Sequence, residues 1–296
     1  MQVIELIKAF FYGLVEGITE WLPVSSTGHL ILLEELLPFN LSSLDPRFAD
    51  EFFSMFEVVI QLGAILAVVV LFWGKLNPFS KKKSAPEKKA TWNLWGKVFV
   101  ASIPAAFVGI VLDKVLEKFS GKDIDGWIYH WEIVAAALIV YGIAFLLIEH
   151  HHKGKISSVL SVDDISYSQA SLIGIFQMLA IIPGTSRSGS TILGSRCIGI
   201  ERSAAAEFSF FLGIPAMAGA SLLKGASFLS YVAEESVSVP PVAWAILAVA
   251  SLTAFAVSMA AIRFLMSFVK RHSFAPFGVY RIILGMLVIL YFGFGR

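Results

Sequence analysis

Long apolar runs separated by short polar segments dominate this chain, and their lengths carry the first conclusion. A helix crossing a hydrocarbon core of about 30 Å needs about 20 apolar residues. Six stretches meet or approach that length, at about 54–73, 97–112, 131–149, 204–223, 241–262 and 278–294; the second is short, and Pro104 in its first half predicts a kink. Two more, at about 4–37 and 168–200, are apolar but interrupted in the middle by Pro, Gly, Ser and Thr. Each predicts a re-entrant pair of half-helices. Non-helical backbone at membrane depth is tolerated only where protein buries it or water reaches it. The breaks at Pro23 to Gly28 and Pro183 to Gly189 are therefore expected to line one cavity. Half-helix N-termini there would offer backbone N–H groups to a phosphate or carboxylate.

The two broken stretches read as copies. Pro23-Val-Ser-Ser-Thr-Gly-His29 parallels Pro183-Gly-Thr-Ser-Arg-Ser-Gly-Ser190, and Glu57 to Gly63 parallels Glu207 to Gly213. The chain is then a single integral membrane domain, all-α, made of two repeats at about 1–150 and 165–296. Each repeat has one re-entrant hairpin and three spanning helices. Three is odd, so the second repeat must have inverted topology, which places a site near the midplane at the repeat interface.

Composition agrees with the pattern. Of 296 residues 57% are hydrophobic and 15% charged, and mean hydropathy is +0.77, outside the range of a soluble domain. A net charge of +1 gives no support for a nucleic-acid partner. The single cysteine, Cys197, forms no internal disulfide and reads as packing. Lys and Arg set the orientation. One face holds twelve, at 75, 81–83, 88, 89, 97, 153, 155, 263, 270 and 271; the other holds seven, Lys8, Arg47, Lys114, Lys118, Lys122, Lys224 and Arg296. The richer face is assigned to the cytoplasm, which puts both termini and the mouth of the first hairpin outside.

Against this background the charged residues of the breaks stand out. An ionisable group at membrane depth costs roughly 2.5 to 3.5 kcal/mol on insertion scales, so Glu16, Glu20 and His29 within one apolar stretch call for a functional explanation. Glu16 and Glu20 are spaced i, i+4 and share a helix face. Two carboxylates held close repel, so either one holds a proton or a cation lies between them, and a hard divalent ion such as Mg2+ or Ca2+ suits oxygen ligands. The bland alternative is a pair satisfied by backbone donors or an arginine. In Ser25-Ser26-Thr27-Gly28-His29, helix capping accounts for some hydroxyls. His29 alone reads as a core histidine bonded to a carbonyl, but beside two carboxylates and two serines it reads as a general base for a nucleophilic hydroxyl. Arg187, among glycines and hydroxyls at the second break, has the shape of an anion clamp, or pairs internally with Glu16, Glu20, Glu57 or Glu207. Asp163 and Asp164, ahead of the second hairpin, read as helix caps.

The string Glu16-Gly-Ile-Thr-Glu20-Trp-Leu-Pro-Val-Ser-Ser-Thr-Gly-His29, together with Pro183-Gly-Thr-Ser-Arg187-Ser-Gly-Ser-Thr, resembles the two signature motifs of the undecaprenyl-diphosphate phosphatase (bacitracin-resistance) family of bacterial membranes. The resemblance extends to Phe56–Gly63, Asp163-Asp164, Ala206–Phe210 and Phe277–Arg281, and departs in the loops at 38–53 and 74–97. It implies removal of the terminal phosphate from a C55 isoprenoid diphosphate, which recycles the lipid carrier of cell-wall precursors and confers bacitracin resistance. By position it makes Ser26 the nucleophile, His29 the acid/base, Arg187 the phosphate clamp, and Glu20 with Glu16 the metal-binding or base-orienting carboxylates. Ser25, Thr27, Ser186 and Thr191 would lend hydrogen bonds to substrate. The implied cofactor is Mg2+ or Ca2+, and the partners are the polyprenyl diphosphate and membrane lipids, with room for a homodimer. The implied location is the bacterial cytoplasmic membrane, with the site open to the outer side.

Two rival readings come from other classes. Inverted repeats with broken helices also describe a flippase or transporter of the lipid carrier, which would release no phosphate. A lipid phosphatase of the acid-phosphatase type would need a Lys-x6-Arg-Pro element and a second histidine after its Ser-Arg; past Arg187 there is only His272.

Overall fold

The computed structural model describes residues 2–41, 46–120, 128 and 130–294. Apart from one bridge between Val159 and Ile200, the regular structure among them is helical. The first hairpin is α1 (Gln2–Thr19) and α2 (Ser26–Leu36). There follow α3 (Pro46–Val59) and α4 (Gln61–Leu71), then α5 (Ala85–Ser120) and α6 (Trp131–His151). The second hairpin is α7 (Tyr167–Met178) and α8 (Arg187–Cys197), followed by α9 (Arg202–Glu234), α10 (Pro241–Val269) and α11 (Ala275–Phe294). Six helical segments are long and apolar enough to cross a membrane, with α3 and α4 counting as one. The chain is a multi-pass, all-α membrane protein.

The elements differ from the sequence expectations chiefly in their ends. The segment expected at 97–112 belongs to a helix of 36 residues with Pro104 inside it; Lys, Glu and Ala ahead of the apolar run are good helix formers and continue the helix into the polar region. The breaks lie slightly earlier than expected, because Gly28 and Gly189 fall inside the first turns of α2 and α8. Asp163 and Asp164 are not the cap of the second hairpin: Ser166 is, in a reciprocal capping box with Gln169. Among the outer-face basic residues, Lys122, Arg296 and the Lys114 side chain lie outside the described residues.

Helix pairings come in matched sets. Hairpin helix α1 packs on α10, and its counterpart α7 packs on α5; α6 packs on α11, and α3 and α4 pack on α9. Such pairing is compatible with an approximate twofold between two halves. Small residues let these helices approach closely. A Cβ on Gly142 of α6 would lie 2.7 Å from the Gly278 carbonyl oxygen of α11, and a Cβ on Gly278 would lie 2.7 Å from that of Gly142. An aromatic cluster of Tyr12, Phe48, Phe52, Phe56 and Phe228 packs α1, α3 and α9 together. A larger core around Trp21, Ile192, Phe208, Phe210 and Phe211 surrounds the two breaks. The breaks thus sit inside protein and not against lipid.

Candidate active site

Each break ends in a serine with a left-handed backbone. Ser25 has φ 76° and Ser186 φ 69°, and each side chain accepts a hydrogen bond at 3.2 Å from a glycine amide three residues on, Gly28 and Gly189. A non-glycine residue in this region costs on the order of 1–3 kcal/mol, a strain that persists only where the surroundings impose it. The two caps are geometric equivalents. Hence the first helical residues, Ser26 of α2 and Arg187 of α8, occupy equivalent places in the two half-helices.

Glu20 joins them. The Ser26 hydroxyl donates to Glu20 Oε2 at 3.0 Å, while Arg187 donates to Glu20 Oε1 from Nη2 at 2.9 Å and from Nε at 3.3 Å. The third nitrogen of the fork, Nη1, donates to the Ser209 carbonyl of α9 at 2.7 Å. The guanidinium lies 5.7 Å from the buried Trp21 ring. Its space depends on Gly213, where a Cβ would stand 2.9 Å from Arg187 Cζ. Arg187 thus reaches a carboxylate 167 positions away, and shares it with Ser26, in a largely buried setting.

Glu16 lies deeper. It is fully buried, and neither carboxylate oxygen has a hydrogen-bond partner. Glu20, Glu57 and Arg187 are the charged groups around it. A buried carboxylate without donors is costly, so this site asks for a cation or a proton. Glu16 offers two unpartnered carboxylate oxygens, the kind of ligand a hard divalent ion takes. No cluster of three or more His, Cys, Asp or Glu capable of holding a metal occurs among the described residues. Water and phosphate oxygens would have to complete the shell, as they ordinarily do for Mg2+.

Among the described residues His29 makes no hydrogen bond to Ser26. Its Nδ1 lies 2.7 Å from the Ser25 carbonyl oxygen, and its Nε2 lies 2.7 Å from the hydroxyl of Tyr280, on which the imidazole stacks. A carbonyl can only accept, so Nδ1 carries the proton and Nε2 is the basic nitrogen. The hydroxyl of Ser26 thus has Glu20, not His29, as its nearest proton acceptor. This differs from the sequence expectation, because a side chain three residues further along α2 points at α11.

The remaining candidates divide. Ser25 and Thr191 are fully buried. The Ser25 hydroxyl is held by its cap, and Thr191 bonds Ser209 Oγ at 2.7 Å and the Arg187 carbonyl at 2.9 Å. Both hydroxyls are thus engaged within the frame of the two half-helices. Ser186 caps α8 and contacts Ser188 Oγ at 3.1 Å. Thr27 is half-exposed in the first turn of α2, where a ligand can reach it.

Three contributors escaped the sequence reading. Ser188 donates to the Glu20 carbonyl at 3.0 Å, tying α8 to the first break. Arg281 of α11 is fully buried and donates to Pro23 O at 3.3 Å, Gly184 O at 2.7 Å and Thr185 O at 2.9 Å. It satisfies carbonyls of both breaks, answering the demand that irregular backbone makes in a membrane. The third is Tyr280. An arginine inside an apolar span was the available signal for Arg281; nothing local marked Tyr280.

The family model described as bacitracin resistance protein BacA matches residues 9–287. A protein of Acetivibrio thermocellus named undecaprenyl-diphosphatase is 51% identical over 291 residues, 98% of each chain. Proteins of the same name from Enterococcus faecalis, 48% identical over 99% of this chain and 100% of the relative, and from Lachnoclostridium phytofermentans, 50% identical over 100% of both, are similar along their whole lengths. With its motifs, fold and full-length relatives in agreement, the chain belongs to the bacitracin resistance protein BacA family.

Proposed function

We propose that this protein is an integral membrane phosphatase that hydrolyses undecaprenyl diphosphate to undecaprenyl phosphate and inorganic phosphate. The observation that carries the reading is the Glu20 carboxylate, bonded at once to the Ser26 hydroxyl of one break and the Arg187 guanidinium of the other. Phosphoryl transfer depends mainly on positioning and on neutralising charge, and this arrangement supplies both. Arg187 binds the oxygens of the terminal phosphate while its fork is oriented by Glu20 and Ser209. Ser26 Oγ attacks the terminal phosphorus and its proton passes to Glu20. The bond from phosphorus to the bridging oxygen breaks, and the lipid monophosphate departs with that oxygen. A water then attacks the serine-bound phosphate, losing its proton to His29 Nε2. The bond from phosphorus to Ser26 Oγ breaks, Ser26 regains its proton from Glu20, and His29 passes its proton to solvent as inorganic phosphate leaves. A divalent cation held by Glu16 and Glu20 would supply further neutralisation of the diphosphate.

The isoprenoid tail stays among the apolar helices and only the diphosphate enters the break. The halves are taken as inverted repeats and the break as open to the outer side, where the used carrier is released. The test is phosphate release by purified protein from a polyprenyl diphosphate in detergent, with and without chelator. Arg187→Ala and His29→Ala should each abolish release while the protein stays folded. Retention of activity within about tenfold of the parent would reject their roles, general acid–base and clamp contributions being about 100-fold or more. A protein that only flips lipid would liberate no phosphate under any condition.

A further inference from the structure

At the far end of α8 lies a second polar cavity. From Arg187 to Arg196 the helix rises about 14 Å, so the two ends serve different places. The cavity, of about 290 Å³, is lined by residues that include Lys155, Ser157, Leu160, Arg196 and Arg202, on the lysine-rich face of the molecule. Its floor is an ion triad. Glu149, at the end of α6, is buried and accepts Arg196 Nε at 3.1 Å on one oxygen and Arg202 Nη2 at 2.6 Å on the other.

A triad of this kind can be purely structural, closing the end of the helix bundle. Three features go beyond closure. First, Arg196 commits Nε and Nη1, and Arg202 commits Nε and Nη2. Arg196 Nη2 and Arg202 Nη1 have no hydrogen-bond partner among the described residues, so each guanidinium is oriented by Glu149 with an arm to spare. Second, Lys155 adds a third cation, steadied at 2.8 Å from His151 Nε2. Third, the other acid of the cavity, Glu201, is turned to the start of α9 through one oxygen: Oε2 accepts from the amides of Ser203 and Ala204 and from the Ser203 hydroxyl as the cap of that helix. Two pre-oriented guanidinium groups, an ammonium and the Ser157 hydroxyl form a recognition set for a tetrahedral anion.

We infer that this cavity is a binding site for a phosphate group, carried on an anionic membrane lipid. The lipid source follows from the rim: Leu160 is 65% exposed and Ile156, next to Ser157, 95% exposed. Apolar side chains beside a cationic cavity at the helix ends suit a headgroup whose acyl chains lie alongside, as in basic pockets that bind phospholipid headgroups.

The test uses the full chain in nanodiscs of phosphatidylcholine with graded phosphatidylglycerol, reading bound lipid by native mass spectrometry. The parent should retain phosphatidylglycerol selectively. Lys155→Ala should weaken retention about fivefold, as expected for one interfacial cation. Arg202→Lys, which keeps a charge for Glu149 but removes the second arm, should weaken it further. Lys89→Ala, an exposed lysine elsewhere on that face, should leave it unchanged. Inorganic phosphate titrated into phosphatidylcholine discs forms the second arm. A response to phosphate and not to lipid, lost in the same two variants, would keep the phosphate site but reject the lipid source. The site itself is overturned if the parent binds neither ligand, or if Lys155→Ala and Arg202→Lys bind both as the parent does.

Discussion

Replacing Glu20 by glutamine separates its chemistry from its place in the fold. The carboxylate accepts from Ser26 at 3.0 Å through one oxygen and from Arg187 at 2.9 and 3.3 Å through the other. A glutamine of the same shape can accept on one side only. Arginine has nothing but donors, so the amide oxygen must turn to Arg187 and the NH2 to Ser26, whose hydroxyl accepts that bond. The packing survives, but the serine loses its proton acceptor. Removal of a general base costs about 100- to 10,000-fold in rate. Glu20→Gln should therefore lower kcat for phosphate release by that factor while its melting temperature in detergent stays near that of the parent. Glu20→Ala is a different perturbation, because it strands the Arg187 charge in a buried place, at about 3–5 kcal/mol. Adding Ser26→Ala to Glu20→Gln should cost little more, since groups that act as a unit are not additive. If Glu20→Gln kept activity within tenfold of the parent, or if the two losses multiplied, Glu20 would not be the group that accepts the serine proton.

Other expectations rest on single contacts. Glu16→Gln should raise the Mg2+ concentration needed for half-maximal phosphate release at least tenfold, because it removes one of two anionic oxygen ligands; an unchanged metal titration would place the ion elsewhere. Tyr280→Phe deletes the 2.7 Å bond to His29 Nε2 and should lower kcat by about fivefold, the equivalent of about 1 kcal/mol for one hydrogen bond. His29→Ala should then mask it in the double variant. Ser188→Ala leaves the Glu20 carbonyl short of its donor and should destabilise the protein by about 1–3 kcal/mol, seen as a lower melting temperature. Gly63→Ala drives a methyl into the Ser251 carbonyl of α10 and should cost about 1–3 kcal/mol by overpacking; an unchanged melting temperature would show that α4 and α10 are not held this closely.

Much of this molecule could be read from residue order alone. Lengths of apolar runs bounded the spanning helices, since the bilayer sets a length that a helix must meet. The interrupted runs marked the breaks because Pro, Gly and hydroxyl residues in an apolar stretch leave backbone groups that lipid cannot satisfy. Glu16, Glu20, His29 and Arg187 were conspicuous for the same reason: charge is expensive there. The partners of these groups were not legible. That Glu20 and not His29 receives the Ser26 hydroxyl depends on the side-chain directions of two half-helices that begin at strained serines. That His29 meets Tyr280, and that Arg281 ties Pro23 to Gly184 and Thr185, depends on contacts between residues about 100 to 250 positions apart, which carry no local pattern. Helix ends fell in the same class, because polar helix formers extend α5 well past its apolar run. Solvation cost acts on each residue where it stands and so is written along the chain, whereas hydrogen-bond pairing is decided only when the two halves pack and bring distant donors and acceptors to one point.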